Sequence, residues 1–368
     1  MESSRPAARI NAIATAVPDS DVQATYREWA RRQIADPREA KLFERMCDRA
    51  GIEHRWSILS AADARLEPGS FYARATPPGT AERMRIYATE APALAIRAID
   101  RLFAAQGASG CADGITHLVV ASCTGFVAPG IDQIIARKCG LSDRVERVLI
   151  GFMGCYAGAV ALRTARHIAQ SDAAARVLVV TVELSSLHLQ PAASLEPLLA
   201  MLQFGDGAAA ALVSTAGEGL LLGEGLSLAL EHSDAMITWT IGDSGFAMHL
   251  SGEVPARLAQ ALADPAVAAR IGGKGGIAAI DAWAVHAGGR SILDAVQRAL
   301  DLPAGALDLS RDVLRDYGNM SSGTLLFALQ GTMARRPANG VALAFGPGLA
   351  MEGFRFGWSE EGDDGHVA

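Results

Sequence analysis

Short apolar runs alternate with longer amphipathic stretches along most of this chain. HLVVASC (117–123) is a nearly continuous apolar run of strand length, the pattern of a strand covered on both faces. IDQIIARKCG (131–140) has apolar residues at helical spacing and closes on Gly140, where a helix stop is expected. VERVLIGF (145–152) predicts another strand. It leads into GCYAGAVALRTARHIAQ (154–170), which is alanine-rich and helical in period. RVLVVTVE (176–183) returns as a strand. The second half repeats the plan, with DAWAVH (281–286) as a strand, GRSILDAVQRAL (289–300) and SSGTLLFALQGTMARR (321–336) as helices, and VALAFG (341–346) as a strand. Glycines and short apolar runs over 215–255 predict hairpins. Pro68, Gly69, Pro77, Pro78 and Gly79 make 57–88 read as a loop. The alternation predicts a layered α/β fold around a buried sheet. No short-period repeat marks a solenoid, and no low-complexity linker divides the chain.

Composition narrows the picture. The 368 residues suit two ordinary domains or one compact enzyme of two similar halves, and at 50% hydrophobic and 20% charged they can bury a sizeable core. A formal net charge of −7 gives no support for nucleic-acid binding. The first twenty residues lack the apolar stretch of a signal peptide, and no run of about 18 apolar residues predicts a membrane span. The cysteines are Cys47, Cys111, Cys123, Cys139 and Cys155. Their number is odd and no pair has metal-ligand or redox spacing, so free thiols in a reducing cytoplasm are expected. The acidic EEGDDGHVA (360–368) reads as a solvated end.

The sharpest chemical signal is IGFMGCYAGAV (150–160). Cys155 falls at the turn from a strand into a helix, beside Gly151, Gly154 and Gly158. A helix N-terminus favours thiolate over thiol, although a small buried cysteine would look the same in sequence. WAVHAGG (283–289) places His286 at a strand end before glycines, and YGNMSSGT (317–324) places Asn319 in a turn before a helix. Alone, each of these two has an ordinary structural explanation. Together, the three sit at element ends, where sites gather in α/β folds. Histidine activates thiols, and imidazole or amide N–H groups stabilise an oxyanion.

These segments resemble the type III polyketide synthases, the chalcone-synthase-like branch of the thiolase superfamily. The motifs agree in order and spacing over nearly the whole chain: RMCDRAGI (45–52), THLVVASCTGFVAPGID (116–132), GFMGCYAGA (151–159), VELSSLHLQ (182–190), LQFGDGAAAAL (202–212), WAVHAGGRSILD (283–294), YGNMSSGTLLFAL (317–329) and AFGPGLAMEG (344–353). The resemblance implies a five-layered αβαβα thiolase-like fold of two pseudo-twofold-related halves, 1–215 with the nucleophilic cysteine and 216–368 with histidine and asparagine. It implies a homodimer and coenzyme A thioesters as substrates, with no metal or redox cofactor. Cys155 would take the acyl starter, and His286 would pair with its thiolate. His286 and Asn319 would hold the enolate formed when malonyl-CoA loses carbon dioxide.

The resemblance also assigns surrounding positions. Phe204 matches a gatekeeper between the coenzyme A tunnel and the cavity, and Met248 stands where a second gatekeeper is usually phenylalanine. Arg45 and Arg49 match contacts to coenzyme A phosphates, while a neighbouring lysine position is Leu42 here, beside Lys41. Cys123, Thr124, Ser185, His188 and Ala200 match cavity positions. Ala128 matches the residue that reaches into the partner's cavity. Small side chains at Ala128 and Ala200, with the flexible Met248, lead to the expectation of a fatty acyl starter and an alkylpyrone or alkylresorcinol product. The rival is a compact cavity fed by malonyl-CoA alone or by a small aromatic starter, for which Cys123 and His188 would suit. Two other readings are a ketoacyl-ACP synthase III-like enzyme, less well matched by GNMSSGT and FGPGLAMEG, and a non-catalytic partner subunit, which would lack the nucleophile.

Overall fold

The computed structural model describes residues 6–64, 67–107, 114–190, 192 and 194–360. Cys111 and the acidic stretch 361–368 lie outside the described residues. The strands are β1 (Arg9–Ala16), the two-residue β2 (Ser20–Asp21) and β3 (Trp56–Ser57), β4 (His117–Ser122), β5 (Glu146–Gly151), β6 (Val177–Leu184) and β7 (Asp206–Ser214) in the first part. Then follow β8 (Gly219–Ala229), β9 (Ile237–Gly242), β10 (Gly245–Leu250), β11 (Ala282–Val285), β12 (Gly340–Gly346) and β13 (Ala350–Ser359). The helices are α1 (Gln23–Gln33), α2 (Pro37–Ala50), α3 (Ala61–Ala64), α4 (Thr80–Ala105), α5 (Ile131–Lys138), α6 (Ala157–Ser171) and α7 (Leu195–Met201). The later ones are α8 (Val254–Leu262), α9 (Pro265–Gly272), α10 (Arg290–Ala299), α11 (Asp308–Tyr317) and α12 (Thr324–Met333).

Nine strands join in the order β11-β12-β13-β8-β1-β7-β6-β4-β5. The two groups of strands meet where β1 and β8 pair over only Arg9–Leu221 and Ile10–Leu220. β6, β7 and β12 are buried along their whole lengths, as their predominantly apolar runs suit strands covered on both faces.

Three hydrophobic clusters resolve five layers. Helices α4 and α5 cover one face of the first group of strands, through Leu94, Ile99, Leu102 and Ile135 against Leu118, Val120 and Val180. The opposite face packs on α6 and α12, which also touch the inner face of the second group through Ala342, Ala344 and Phe354. Helices α8, α10 and α11 close the far side. This αβαβα order is the expected thiolase-like arrangement. The alanines of α6 serve the middle layer, because two helices fit between two sheets only if their shared faces are small. Gly158 illustrates the fit: a Cβ there would lie 2.3 Å from the Ser322 carbonyl oxygen.

Most of the predicted elements are present, with ends shifted by a few residues. Two differences have physical reasons. The stretch expected as loop over 57–88 ends at Gly79, and α4 starts at Thr80. The prolines and glycines that break regularity all precede that point, and the buried Tyr87, Ala91 and Leu94 supply the helical face. Within 215–255, only β9 and β10 form the expected hairpin. β8 instead spans eleven residues and bridges β1 and β13.

Candidate active site

Cys155 lies in the turn between β5 and α6, two residues before the helix begins, and is buried. The turn depends on Gly154, whose φ of +79° is left-handed and whose Cα abuts Pro347; a Cβ would fall 2.5 Å from the Pro347 Cδ. The late FGPG motif of the second half therefore seats the nucleophile turn of the first. His286 follows β11 directly, its backbone N–H donating to the Leu343 carbonyl at 2.8 Å. Asn319 lies between α11 and α12. Its N–H donates to the Gln203 carbonyl at 2.7 Å, and its carbonyl accepts from Gly205 N–H at 3.0 Å. This backbone pairing couples Asn319 to Phe204.

The three residues are linked through Ser321 and Gly288. The Cys155 thiol is in hydrogen-bonding contact with the side chains of Ser321 and Asn319. The Asn319 Oδ1 accepts from Ser321 N–H at 2.8 Å, which turns its amide nitrogen towards the Gly288 carbonyl at 3.4 Å. Gly288 in turn packs on the His286 ring, where a Cβ would lie 3.4 Å from Nε2. Neither ring nitrogen of His286 has a hydrogen-bond partner among the described residues, although the residue is 1% exposed. A buried imidazole with both nitrogens unsatisfied is costly for stability. It is also free to act on a ligand.

Burial pushes the two titratable groups in opposite directions. It drives the Cys155 thiol up to about 11, with the nearby Glu183 adding to the rise and the Ser321 and Asn319 contacts opposing it. It drives His286 down to about 3. Both shifts disfavour the charged forms, whereas the resemblance leads to the expectation of a thiolate–imidazolium pair. Cys155 sits ahead of the helix rather than within its first turn, and desolvation outweighs the helix dipole there.

A buried polar network beneath the nucleophile was not anticipated. The Glu183 carboxylate, fully buried on β6, accepts from Cys123 N–H at 3.0 Å, from the Thr124 hydroxyl at 2.8 Å and from the Ser322 hydroxyl. Burial raises its pKa. The Cys123 Sγ lies 3.3 Å from this carboxylate and 3.2 Å from the Ser321 Oγ. Ser321 has a left-handed φ of +48°, an uncommon conformation for a side-chain-bearing residue, and its hydroxyl contacts both thiols. The available signal was one acidic residue in the otherwise apolar RVLVVTVE.

A cavity of about 280 Å³ lies on the other side of Phe204 and Met248, which both line it together with Ser185, His188 and Trp239. Trp239 is the cross-strand neighbour of Met248 in the hairpin and donates its Nε1–H to the Cys123 carbonyl at 2.8 Å. It was not singled out in sequence, yet it supplies a large aromatic face to the cavity wall. His188 is present at the wall but chemically engaged. One ring nitrogen lies 2.7 Å from the Thr124 carbonyl, the other accepts from Phe246 N–H at 3.0 Å, and the ring stacks on Phe246. It anchors the hairpin and offers the cavity no free polar nitrogen.

Three further positions lie outside the lining of this cavity. Ala200 is buried but does not line it; Pro197 and Met201 of the same α7 do, because successive residues of a helix point about 100° apart. Ala128 is exposed beside Phe126 and contributes nothing to the cavity of its own chain. Thr124 is held by Glu183 and by Leu184 N–H and also does not line it. Arg45 and Arg49 both lie on the exposed side of α2, and Arg49 lines a second groove that reaches Gln203. Among the described residues, no group of three or more His, Cys, Asp or Glu could hold a metal, and no helix is long and apolar enough to cross a membrane.

The layers and the cysteine turn at their centre define a thiolase-like condensing enzyme. The family model for chalcone and stilbene synthases, N-terminal domain, matches residues 1–217, and the corresponding C-terminal domain matches 225–356. The chain belongs to this family and is a type III polyketide synthase, an acyltransferase of decarboxylative condensation. It is 32% identical to the alpha-pyrone synthesis polyketide synthase-like Pks18 of Mycobacterium tuberculosis, over 94% of this chain and 90% of that one. It is 34% identical to bisdemethoxycurcumin synthase of Oryza sativa subsp. japonica, over 84% and 81%. Among solved structures, PKS-I of the brown alga Ectocarpus siliculosus superposes with a TM-score of 0.86 at 26% identity, covering 98% of this chain and 100% of that one. The type III domain of the Dictyostelium hybrid Steely1 shares the fold, with a TM-score of 0.85 at 24% identity, covering 95% and 99%.

The raised thiol pKa has a measurable signature. Because the thiolate is the nucleophile and the thiol pKa is raised, alkylation of Cys155 by iodoacetamide should climb about tenfold per pH unit between pH 7 and 9.5. Peptide mass spectrometry gives the rate at this residue. A flat profile from pH 6 to 9 would instead reveal a preformed ion pair.

Proposed function

We propose that Cys155 carries the growing acyl chain and that His286 and Asn319 hold the malonyl thioester during decarboxylation. The observation that carries this is the buried, unpartnered imidazole of His286 placed beside an amide whose nitrogen is oriented by Ser321. The Cys155 sulfur attacks the starter thioester as its proton passes to His286, and coenzyme A leaves as the thiol. Malonyl-CoA then places its thioester oxygen near the His286 Nε2–H and the Asn319 amide. Loss of carbon dioxide leaves an enolate whose charge these donors stabilise. Its carbon attacks the acyl-Cys155 carbonyl, the cysteine departs as thiolate, and the lengthened chain rests on coenzyme A. Phe204 serves as the gate: Gln203 lines the outer groove while Phe204 lines the inner cavity.

For the starter we favour a fatty acyl-CoA, extended to an alkylpyrone or alkylresorcinol. Leu59, Leu189, Met201, Trp239 and Met248 give the cavity a largely apolar wall, and each buried methylene contributes about 0.8 kcal/mol. The name of the mycobacterial relative, which refers to alpha-pyrone synthesis, agrees. A small aromatic starter is the second reading. The aromatic wall of Trp239 and Phe246 favours it, as does the name of the rice relative.

A homodimer is supported by β5, the edge of the nine-stranded sheet. Its Val148 and Leu149 are 40% and 44% exposed, beside Phe126 at 45%. An open, apolar strand edge calls for a partner, and a second copy would supply the same edge. Cys47, Cys123 and Cys155 are free thiols, in keeping with the cytoplasm as the working compartment.

Asn319→Ala should still load an acyl group on Cys155, visible as an adduct by intact-protein mass spectrometry, while malonyl-CoA decarboxylation falls by about a hundredfold or more. The reverse pattern would reassign the roles. In competition among acetyl-, hexanoyl-, lauroyl-, palmitoyl- and coumaroyl-CoA with malonyl-CoA, lauroyl- and palmitoyl-CoA should dominate the products. Preference for coumaroyl-CoA would establish the aromatic reading, and equal product from malonyl-CoA alone would end both. Leu149→Asp should convert a dimer to a monomer by light scattering. A wild-type chain already monomeric at micromolar concentration would remove the dimer.

A further inference from the structure

A second buried carboxylate lies beside the cavity, and the condensation steps do not use it. Asp206 opens β7 and is fully buried. It pairs across the sheet with Leu184, whereas Glu183, one residue along β6, pairs with Gly207 and points to the opposite face. The Asp206 Oδ1 accepts from Ser186 N–H at 2.7 Å. Its Oδ2 accepts from Ile58 N–H at 2.9 Å and from the Ser186 hydroxyl at 2.5 Å. Ser186 in turn accepts from the Ser57 hydroxyl at 2.7 Å, and Ser57 is fixed by Leu59 N–H at 3.1 Å. The Tyr72 hydroxyl holds the Ser186 carbonyl at 2.7 Å. The Ser186 side chain is therefore locked with its proton on Asp206.

Ser186 is only half-buried, and it lines the same cavity as Phe204, Trp239 and Met248. A serine oxygen has two lone pairs. One receives the Ser57 proton, and the other is left for a ligand. Arg55 lines the same wall. Its Nη1 donates to the Met201 and Phe204 carbonyls at 3.0 and 2.7 Å, while its Nη2 has no hydrogen-bond partner among the described residues. Burial lifts the Asp206 carboxyl to about 6, against the bonds from Ser186 and Ile58 and the charge of Arg55. The titratable groups that act on it are Arg55, ahead of β3, and Tyr72, ahead of α4. Asp206 is thus ionised at neutral pH yet more basic than a surface carboxylate, as a proton acceptor should be. An acyl tail alone has no use for such a group. A chain bearing acidic protons does.

We propose that Ser186 and Asp206 form a proton relay that closes the finished poly-β-ketone thioester into a lactone ring. This deepens the polyketide-synthase reading, rests on it, and selects the pyrone over the resorcinol. The enol hydroxyl of the chain gives its proton to the Ser186 Oγ as the Ser186 proton moves to the Asp206 Oδ2. The enol oxygen attacks the thioester carbonyl, so that a C–O bond forms and the C–S bond breaks. The departing coenzyme A thiolate takes the proton back from Asp206 by way of Ser186 and leaves as the thiol. The Arg55 cation favours the negative charge that develops on the enol oxygen. Ser186 is the group that touches the substrate. Asp206 acts through it, and Ser57 sets the orientation of its hydroxyl. The relay shares no residue with the Glu183 network beneath Cys155.

The test supplies a preformed triketide thioester of N-acetylcysteamine with an alkyl tail and follows pyrone formation against the rate in buffer. Loading and decarboxylation are thereby bypassed. The wild-type enzyme should accelerate ring closure, and its kcat should climb as pH rises through about 6 and then level off, because the acceptor must be ionised. Ser186→Ala should lower kcat by about tenfold or more, with little change in KM and with the pH step abolished. Ser186→Thr, which keeps the hydroxyl, should restore much of the rate and the step. Asp206→Asn should match Ser186→Ala. If that variant does not fold, Ser186→Ala decides alone, since it leaves the two backbone bonds to Asp206 in place. Ring closure no faster with enzyme than in buffer overturns the proposal, as does an unchanged kcat in Ser186→Ala or a pH step that survives in it. Carbon dioxide release from malonyl-CoA is measured separately. A protein that closes the ring but releases none loses the Cys155, His286 and Asn319 reading and keeps this one; the converse result overturns the relay alone.

Discussion

The close contact between α6 and the segment leading into α12 is the constraint on which the rest depends. Cys155 comes from the first half of the chain, and His286 and Asn319 from the second. They meet only because two helices share one layer between two groups of strands. That layer is thin enough only where side chains are nearly absent. Gly158 rests against the Ser322 carbonyl, and Ala157, Ala159 and Ala161 carry the remaining contacts. Ser322, so placed, bonds to Glu183, and Ser321 before it reaches the nucleophile. Packing in the middle of the molecule and chemistry at its centre are thus one arrangement of atoms.

Burial sets the electrostatics of that centre. The site contains one carboxylate, Glu183, satisfied by hydroxyl, amide and thiol donors, and two groups that desolvation holds neutral. A second negative charge on Cys155 would add to that of Glu183 in a water-poor space. Ionisation of the thiol there requires a destination for its proton, and the imidazole of His286 has neither ring nitrogen hydrogen-bonded among the described residues. Such dryness is also the condition under which an acyl thioester or an enolate is shielded from water.

The entrance follows a related logic. Asn319 is tied by backbone to the strand-like step at Phe204, so the positions of the two residues are set together. The β9–β10 hairpin carries Met248 and Trp239 side by side and is pinned by His188 and by the Cys123 carbonyl. Cavity volume is therefore controlled by a hairpin whose anchoring residues lie far away in the chain.

Much of this was legible in the sequence. Apolar runs of strand length and periodic alanine-rich stretches determined the α/β layering, because the periods of strand and helix are local properties of the backbone. The glycine-flanked Cys155, and His286 and Asn319 at element ends, could be located because tight turns demand particular residues. Other features were decided only by the tertiary structure. Nothing local distinguishes Ala200 from Pro197 and Met201 on α7, and only the packing of that helix tells which face the cavity sees. Trp239 is unremarkable in its own segment and becomes part of the cavity wall through neighbours distant in the chain. The rise of the Cys155 pKa was decided by the tertiary structure for the same reason: a helix start is written in the sequence, whereas desolvation is the sum of everything that packs around the thiol.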